Sequence, residues 1–293
     1  MHVFITGGSG CIGSAVVPEL LAHGHSVLAL ARSDASASAL EAAGAQTIRG
    51  SLTELDAIRE GVAQAEGVIH LAFGNDFSSA EALAGNIADE TAAVTTTAAE
   101  LVGSDRPFVV VSGTPLAQGR PSTEEDPLPL EGPVAGRGVT LTEVLGMASQ
   151  GLRVSAVRLP RTVHSDGDGG FAGLLTRIAR QSGVSGYIGD GSQRWPAVHA
   201  ADAAVLFRLA LEQAPAGTSW HAVADEGDAV RDIAEVIGRR LGVPVQSVPP
   251  ETYGPLGPVF AADQPASSAL TRARLGWQPT HPSLLEDLES IQP

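Results

Sequence analysis

Short apolar runs and longer amphipathic stretches alternate through the first half of the chain. The runs cover residues 3–6, 26–30, 46–49, 67–71, 108–112 and 154–159. Helix-like stretches at 12–23, 35–43, 54–61, 80–102 and 140–150 separate them. This alternation predicts parallel strands joined by crossover helices: an α/β fold with a doubly wound parallel sheet of Rossmann type. A run such as 108–111 is apolar at every position, as a strand covered by helices on both faces requires. The second half is less regular. Residues 167–170 and 183–191 read as loops, 200–212 and 228–241 as helices. Strands near 219–224 and 243–248 are expected to form a small sheet, and 249–265, rich in Pro and Gly, reads as loop. No repeat or long linker interrupts the pattern. The expected organisation is one Rossmann-type domain over 1–293, with 160–293 contributing a small C-terminal substrate-binding lobe.

Composition removes several function classes. The chain has 293 residues, 43% of them hydrophobic, enough for one large core. Its net charge of −15 repels phosphate backbones and anionic lipid, so neither nucleic acid nor a membrane surface is an expected partner. No window approaches the roughly 18 apolar residues that span a bilayer. The opening His2-Val3-Phe4-Ile5 runs into a strand without a secretory pattern, so a cytoplasmic location is expected. Cys11 stands alone and no intrachain disulfide can form. All 18 basic residues are arginines, and the tyrosines are Tyr187 and Tyr253. Mechanisms that need a lysine are therefore excluded. The histidines and acids show no metal-ligand spacing, and no metal is expected. Ser112 lacks a nucleophile elbow. Glu124, Glu125 and Asp126 read as a solvated acidic loop.

The strongest chemical signal is Thr6-Gly7-Gly8-Ser9-Gly10-Cys11-Ile12-Gly13, between the first strand and the first helix. Gly7 permits a tight turn, Gly10 lets a pyrophosphate approach the backbone, and Gly13 allows the helix to sit close to the sheet. The helix N-terminus, through Cys11 and Ile12, offers free N–H groups and partial positive charge to phosphates. Cys11 reads as a small apolar residue, not an activated thiolate. The end of the second strand selects the dinucleotide: an acid there favours NAD, an arginine NADP. Arg32 occupies that place, Ser33 can add a hydrogen bond, and Asp34 reads as the cap of the next helix. NADP is the expected cofactor and NAD the less favoured one.

These residues resemble the extended and atypical short-chain dehydrogenase/reductases, the group around the nucleotide-sugar epimerases. The resemblance covers nearly the whole chain. Residues 6–13 look like that group's TGxxGxxG turn. Gly50-Ser51-Leu52-Thr53 resembles its GDLTD segment near the adenine, with Ser51 in place of the aspartate. Val68-Ile69-His70-Leu71-Ala72 resembles its VIHLAA strand, which places Leu71, Ala72 and Phe73 at the cofactor. Residues 107–114, with Ser112, are similar to its fifth strand. Arg158-Leu159-Pro160 looks like the segment whose proline backs the nicotinamide. Residues 195–202 resemble its VHVDD segment, and Leu275-Gly276-Trp277-Gln278-Pro279 its LGWxP tail.

The resemblance breaks at the catalytic group. In that family a Ser or Thr orients the substrate, and a Tyr with a Lys four residues later moves the proton. Alignment puts Thr114 at the Ser/Thr place but Ala135 and Val139 at the Tyr and Lys places. Arg137 lies beside them and, being permanently charged, would stabilise a substrate anion or the nicotinamide ribose and not act as a base. His164, expected on a Gly/Asp-rich loop at the mouth of the site, is a candidate proton donor, as is Tyr187 from its loop. Tyr253 is a further candidate; His70 and His199 read as framework.

The leading reading is an NADP-dependent reductase of a small, partly apolar organic substrate, working without the usual Tyr/Lys relay. Two alternatives stay open: a redox-silent NADP-binding sensor or scaffold, and an epimerase or isomerase that retains its cofactor. Related enzymes often dimerise through helices corresponding to 80–102 and 140–150. These two show no large apolar patch here, so monomer and homodimer both remain.

Overall fold

The computed structural model describes every residue except Asn75, Phe77 and Pro293, and of Pro255 the backbone alone. The first half builds β1 (His2–Thr6), α1 (Gly13–Ala22), β2 (Ser26–Ala31), α2 (Asp34–Ala42), β3 (Gln46–Arg49), α3 (Leu55–Gln64) and β4 (Gly67–His70). It continues through α4 (Ala80–Leu101), β5 (Phe108–Gly113), α5 (Ala135–Gly146) and β6 (Val154–Leu159). The second half adds β7 (Thr162–His164), α6 (Gly170–Ser182), β8 (Ser185–Ile188), β9 (Arg194–His199), α7 (Ala200–Gln213) and β10 (Thr218–His221). It ends with β11 (Asp225–Ala229), α8 (Val230–Leu241), β12 (Val245–Val248), α9 (Gly257–Phe260), α10 (Ala269–Leu275) and α11 (Leu284–Leu288).

Seven strands form one parallel sheet in the order β10-β6-β5-β4-β1-β2-β3. Successive side chains of a strand point to opposite faces, so an all-apolar run feeds two cores. Val3 and Ile5 pack with Val16 and Leu20 of α1, Leu40 of α2 and Phe207 of α7. Phe4 between them packs with Ile58 and Val62 of α3, while Val94 of α4 and Leu141 of α5 belong to the same cluster. A third cluster, around Tyr187, Trp195, Ile233, Tyr253 and Phe260, holds the C-terminal elements together. Strand order reverses at β1, whose neighbours are β2 and β4. In open α/β sheets ligands bind at the carboxyl edge of such a switch point.

Three expectations for the second half are corrected. Segments 219–224 and 243–248 do not share a sheet: β10 is the seventh strand of the main sheet, beside β6, and β12 pairs with β8. The stretch 183–191 contains β8, and 249–265 contains a 3-10 turn, Pro250–Leu256, followed by α9. The acidic segment is not simply solvated. Glu124 is buried and accepts hydrogen bonds from the Thr271 N–H at 2.8 Å and hydroxyl at 2.6 Å. Among the described residues no helix is long and apolar enough to cross a membrane.

Candidate active site

The glycine-rich turn leaves β1 at the switch point and touches the exit of β4. Gly7 has φ +75°, and a Cβ there would lie 2.7 Å from the Ala72 amide nitrogen. At Gly13 a Cβ would lie 2.2 Å from the Gly7 carbonyl oxygen and 2.6 Å from the Gly8 Cα. Both positions are closed by backbone. Gly10 differs: a Cβ would meet only the Gly7 carbonyl oxygen, at 3.3 Å. The first hydrogen bond of α1 runs from the Ser14 N–H to the Gly10 carbonyl, and the Cys11 and Ile12 N–H groups donate to nothing among the described residues. No acidic side chain stands in the helix's first turn. Free donors, a positive helix end and open space at Gly10 together fit a pyrophosphate. Burial, and after it the Asp168 carboxylate, raise the pKa of the Cys11 thiol, so it is not an activated nucleophile.

At the end of β2 Arg32 is exposed, and its guanidinium has no partner among the described residues. Arg49, in register with Ala31, pairs with Asp34 at 3.2 Å. The helix cap expected at Asp34 is instead Ser33, whose hydroxyl accepts the Ser36 N–H at 3.1 Å while Ser36 returns the bond. Asp34 is the first helical residue. Ser51 is similarly engaged: its N–H and hydroxyl donate to the Glu54 carboxylate at 2.8 and 2.9 Å. Leu52 packs half-buried on the core cluster that holds Phe4.

Beyond β4 lie Leu71, Ala72 and Phe73, all half-buried. His70 is fully buried within 3.0 Å of the Thr6 hydroxyl, and burial, followed by the nearby Arg137, lowers its pKa to about 3. It is a neutral framework residue. The role expected of Arg137 is corrected. Its guanidinium donates twice to the buried Glu90 carboxylate, at 2.6 and 2.7 Å, and sits 4.3 Å from the Phe73 ring centroid. That charge ties α5 to α4 and is already spent.

The pair makes a measurable prediction. Burial raises the Glu90 pKa, and Arg137 opposes the rise. Arg137→Met removes the opposition, so folded Glu90 keeps a proton that the unfolded chain releases above the ordinary glutamate range. Stability then falls as pH rises. The expected loss is small at pH 4 and on the order of 2–3 kcal/mol at pH 8, less than for a fully buried pair. Urea melts of both proteins at the two pH values check it; a pH-independent difference overturns it.

Thr114 follows β5 at the same carboxyl edge. It is buried, its N–H donates to the Leu159 carbonyl at 2.9 Å, and its own carbonyl accepts the Gln264 amide at 2.6 Å. Among the described residues its Oγ1 has no partner. Buried hydroxyls are rarely left so, and a ligand would satisfy this one. Ser112 lies two residues earlier, half-buried, and Pro160, buried, directly follows β6. Ala135 opens α5, and Val139 on the same helix is 40% exposed.

The three proton-donor candidates are held elsewhere in the fold. His164 is not on the loop. It ends β7, is 1% exposed, and its Nδ1 bonds the Asp287 carboxylate at 2.8 Å. Tyr187 lies in β8, buried, and its hydroxyl accepts from Arg231 at 2.8 Å. Tyr253 donates to the Gly186 carbonyl at 2.7 Å, and burial pushes its pKa up to about 12. Sequence reasoning passed over two residues at this edge. Gln264, inside the supposed loop, links Thr114 to Arg194, whose carbonyl accepts its N–H at 3.0 Å. Arg161 directly follows Pro160; that adjacency was the available signal.

With this geometry in place, comparison with known proteins assigns the chain. The model of the NAD dependent epimerase/dehydratase family matches residues 3–223. The chain belongs to this family. It is 44% identical to the uncharacterized protein C2A9.02 of Schizosaccharomyces pombe over 99% of both chains. It is 30% identical to the 4-hydroxy-2-methyl-3-oxo-4-farnesyl-3,4-dihydroquinoline-1-oxide ketoreductase of Stigmatella aurantiaca, over 74% of this chain and 66% of that one. Among solved structures, Pal from Bacillus thuringiensis superposes with a TM-score of 0.80 at 20% identity, covering 99% of this chain and 97% of that one. The fold is thus that of a family of NAD(P)-dependent enzymes, and its oxidoreductase and epimerase relatives share the Rossmann sheet.

Proposed function

We propose that this protein is an NADPH-dependent reductase of a small, partly apolar organic substrate, working without a tyrosine–lysine relay. The observation that carries it is the unpartnered Thr114 hydroxyl, buried at the carboxyl edge that also holds the open turn at Gly10. The named ketoreductase relative supports the reductive direction. Arg32 supports the phosphorylated dinucleotide, and Arg49 adds a second guanidinium at the same strand ends.

The bound dinucleotide supplies the hydride; the chain supplies place and charge. Turn N–H groups would hold the pyrophosphate of the dinucleotide, and Pro160 would contact its nicotinamide. The Thr114 hydroxyl donates to the oxygen, or contacts the polarised atom, of the acceptor. No lysine exists in the chain, and both tyrosines are engaged in the C-terminal core. The favoured substrates are therefore those that accept hydride without prompt protonation: iminium ions, quinones and conjugated enones. The protein acts as a monomer or homodimer in the cytoplasm.

Fluorescence titration with NADPH and NADH tests the cofactor. Tighter NADPH binding is expected, and Arg32→Ala is expected to weaken it by on the order of 1.5–3 kcal/mol, the worth of hydrogen bonds to a charged phosphate. Equal affinity, or NADH preferred, overturns the assignment. Tight NADPH binding without oxidation by ketones, iminium ions, quinones or enones favours a redox-silent sensor, a reading that the absent relay also supports. Cofactor that survives purification favours an isomerase or a sensor.

A further inference from the structure

Arg161 stands where β6 leaves the sheet, immediately after Pro160. Its neighbourhood is fixed by backbone. Leu159 is in register with Gly113, and the Leu159 carbonyl holds the Thr114 N–H. On the other side the Arg161 carbonyl accepts the Phe171 N–H at 3.4 Å. The guanidinium carbon lies 5.5 Å from the Phe171 ring centroid and 5.7 Å from that of Trp195. Gln264 bonds both the Thr114 carbonyl and the carbonyl of Arg194, the residue before Trp195. Backbone bonding thus sets Arg161 and Thr114 at neighbouring strand ends, and Gln264 ties Thr114 to the strand that carries Trp195.

Among the described residues the Arg161 side chain has no ion pair and no hydrogen bond, and its Nε is buried without a partner. Other arginines drawn inward differ. Arg137 is paired with Glu90, and Arg158 donates to the Glu124 and Asp126 carbonyls. Burial lowers the Arg161 pKa to about 10 with no carboxylate opposing the shift, so it stays charged at neutral pH. Two more orphans stand nearby, the Trp195 Nε1 and the Thr114 Oγ1. Arg161 is partly buried, and a cation partly desolvated without a counter-ion is costly; a ligand that supplies the opposite charge would offset that cost. Phe171 and Trp195 flank the guanidinium, and a planar, bidentate acceptor is the natural partner for its unclaimed N–H groups.

We infer that Arg161 is a substrate-anion clamp: the organic substrate carries a carboxylate, which pairs with the Arg161 edge while its reacting centre lies toward Thr114. The inference rests on the reductase reading for the place of the substrate and adds the chemical class. Arg161 is then a specificity residue, and neutral acceptors of the same shape are poor ligands.

The test uses benzoate and its neutral isostere benzamide, titrated by calorimetry into the protein saturated with NADP. Benzoate is expected to bind at least about tenfold more tightly than benzamide, as a charge-assisted pair implies. Arg161→Gln is expected to erase that difference and leave NADPH affinity unchanged. Arg161→Lys, which keeps charge without the fork, should retain part of it. Benzoate binding no better than benzamide in the wild type overturns the clamp, whatever the variants do. So does a parallel loss of NADPH and benzoate in Arg161→Gln, which would assign the guanidinium to the cofactor. Carboxylate discrimination without NADPH oxidation on any acceptor defeats the reductase reading and leaves the clamp standing. Turnover of neutral acceptors with no carboxylate discrimination does the reverse.

Discussion

Gly10→Val is expected to abolish NADPH binding in a protein that still folds. The contacts around the turn separate the two effects. A Cβ at position 10 meets one carbonyl oxygen at 3.3 Å, a distance that a shift of a few tenths of an ångström relieves. The valine methyl groups then fill the space in front of the free Cys11 and Ile12 N–H groups, where the pyrophosphate is proposed to lie. Gly13→Ala is the contrasting variant. Its methyl would stand 2.2 Å from backbone that cannot yield, so it is expected to cost stability, by about 1–3 kcal/mol or more for overpacking of this kind. Circular dichroism, thermal melts and NADPH fluorescence titration on both variants decide the matter. Saturable NADPH binding at wild-type affinity by folded Gly10→Val makes the turn purely structural.

The second large effect is on chemistry. A simple ketone is expected to be reduced far more slowly than a cyclic iminium ion or quinone under identical NADPH conditions. General acid catalysis is typically worth about 10²–10⁴-fold, and the forming alkoxide has no tyrosine beside it here. Thr114→Val should lower turnover on the better substrate by about tenfold or more, the loss of one hydrogen bond to developing charge. The same change should leave stability nearly untouched, because the protein gives that hydroxyl no partner to lose. The two readouts together distinguish substrate contact from packing. Efficient ketone reduction that survives conservative replacement of His164, Tyr187 and Tyr253 together refutes the account.

Legibility in the sequence followed the source of the information. Five of the six strands of the first half are short, mainly apolar runs buried on both faces; β3, Gln46–Arg49, lies at the sheet edge with both ends exposed. Their bounds in the structure differ from the expected runs by one residue at most. β10 was visible as a strand, but its partner was not. Partnering is set by α7, which packs on α1 and delivers Thr218 beside Ser155. β8 was hidden by Gly186, which reads as a loop residue. A side chain there would meet the Tyr253 hydroxyl at 2.8 Å, so the glycine marks a close approach inside a strand. At the site, the turn was legible because backbone geometry demands glycine at fixed spacing. Arg137 misled because a helix-borne arginine carries no sign of Glu90, which lies on another helix. His164 misled because Asp287, far along the chain, decides its burial. Arg161 went unread for the opposite reason: what defines it is the lack of a counter-ion, and a sequence does not display an absence in space.

The position of β10 has a consequence for how the chain reaches this state. Six strands of the main sheet are complete once Leu159 is made, yet β6 then presents an uncovered edge. Its future partner does not arrive until β7, α6, β8, β9 and α7 have been laid down, and the chain departs again at once for β11. The edge left waiting, Val154–Leu159, is apolar at four of its six positions, the kind of template on which partly folded chains associate. Closing it joins residues far apart in sequence, which places this pairing among the slow steps of folding. The two halves are thereby stitched together by the chain's own route. The C-terminal elements cannot be removed from the sheet without reopening its flank at β6.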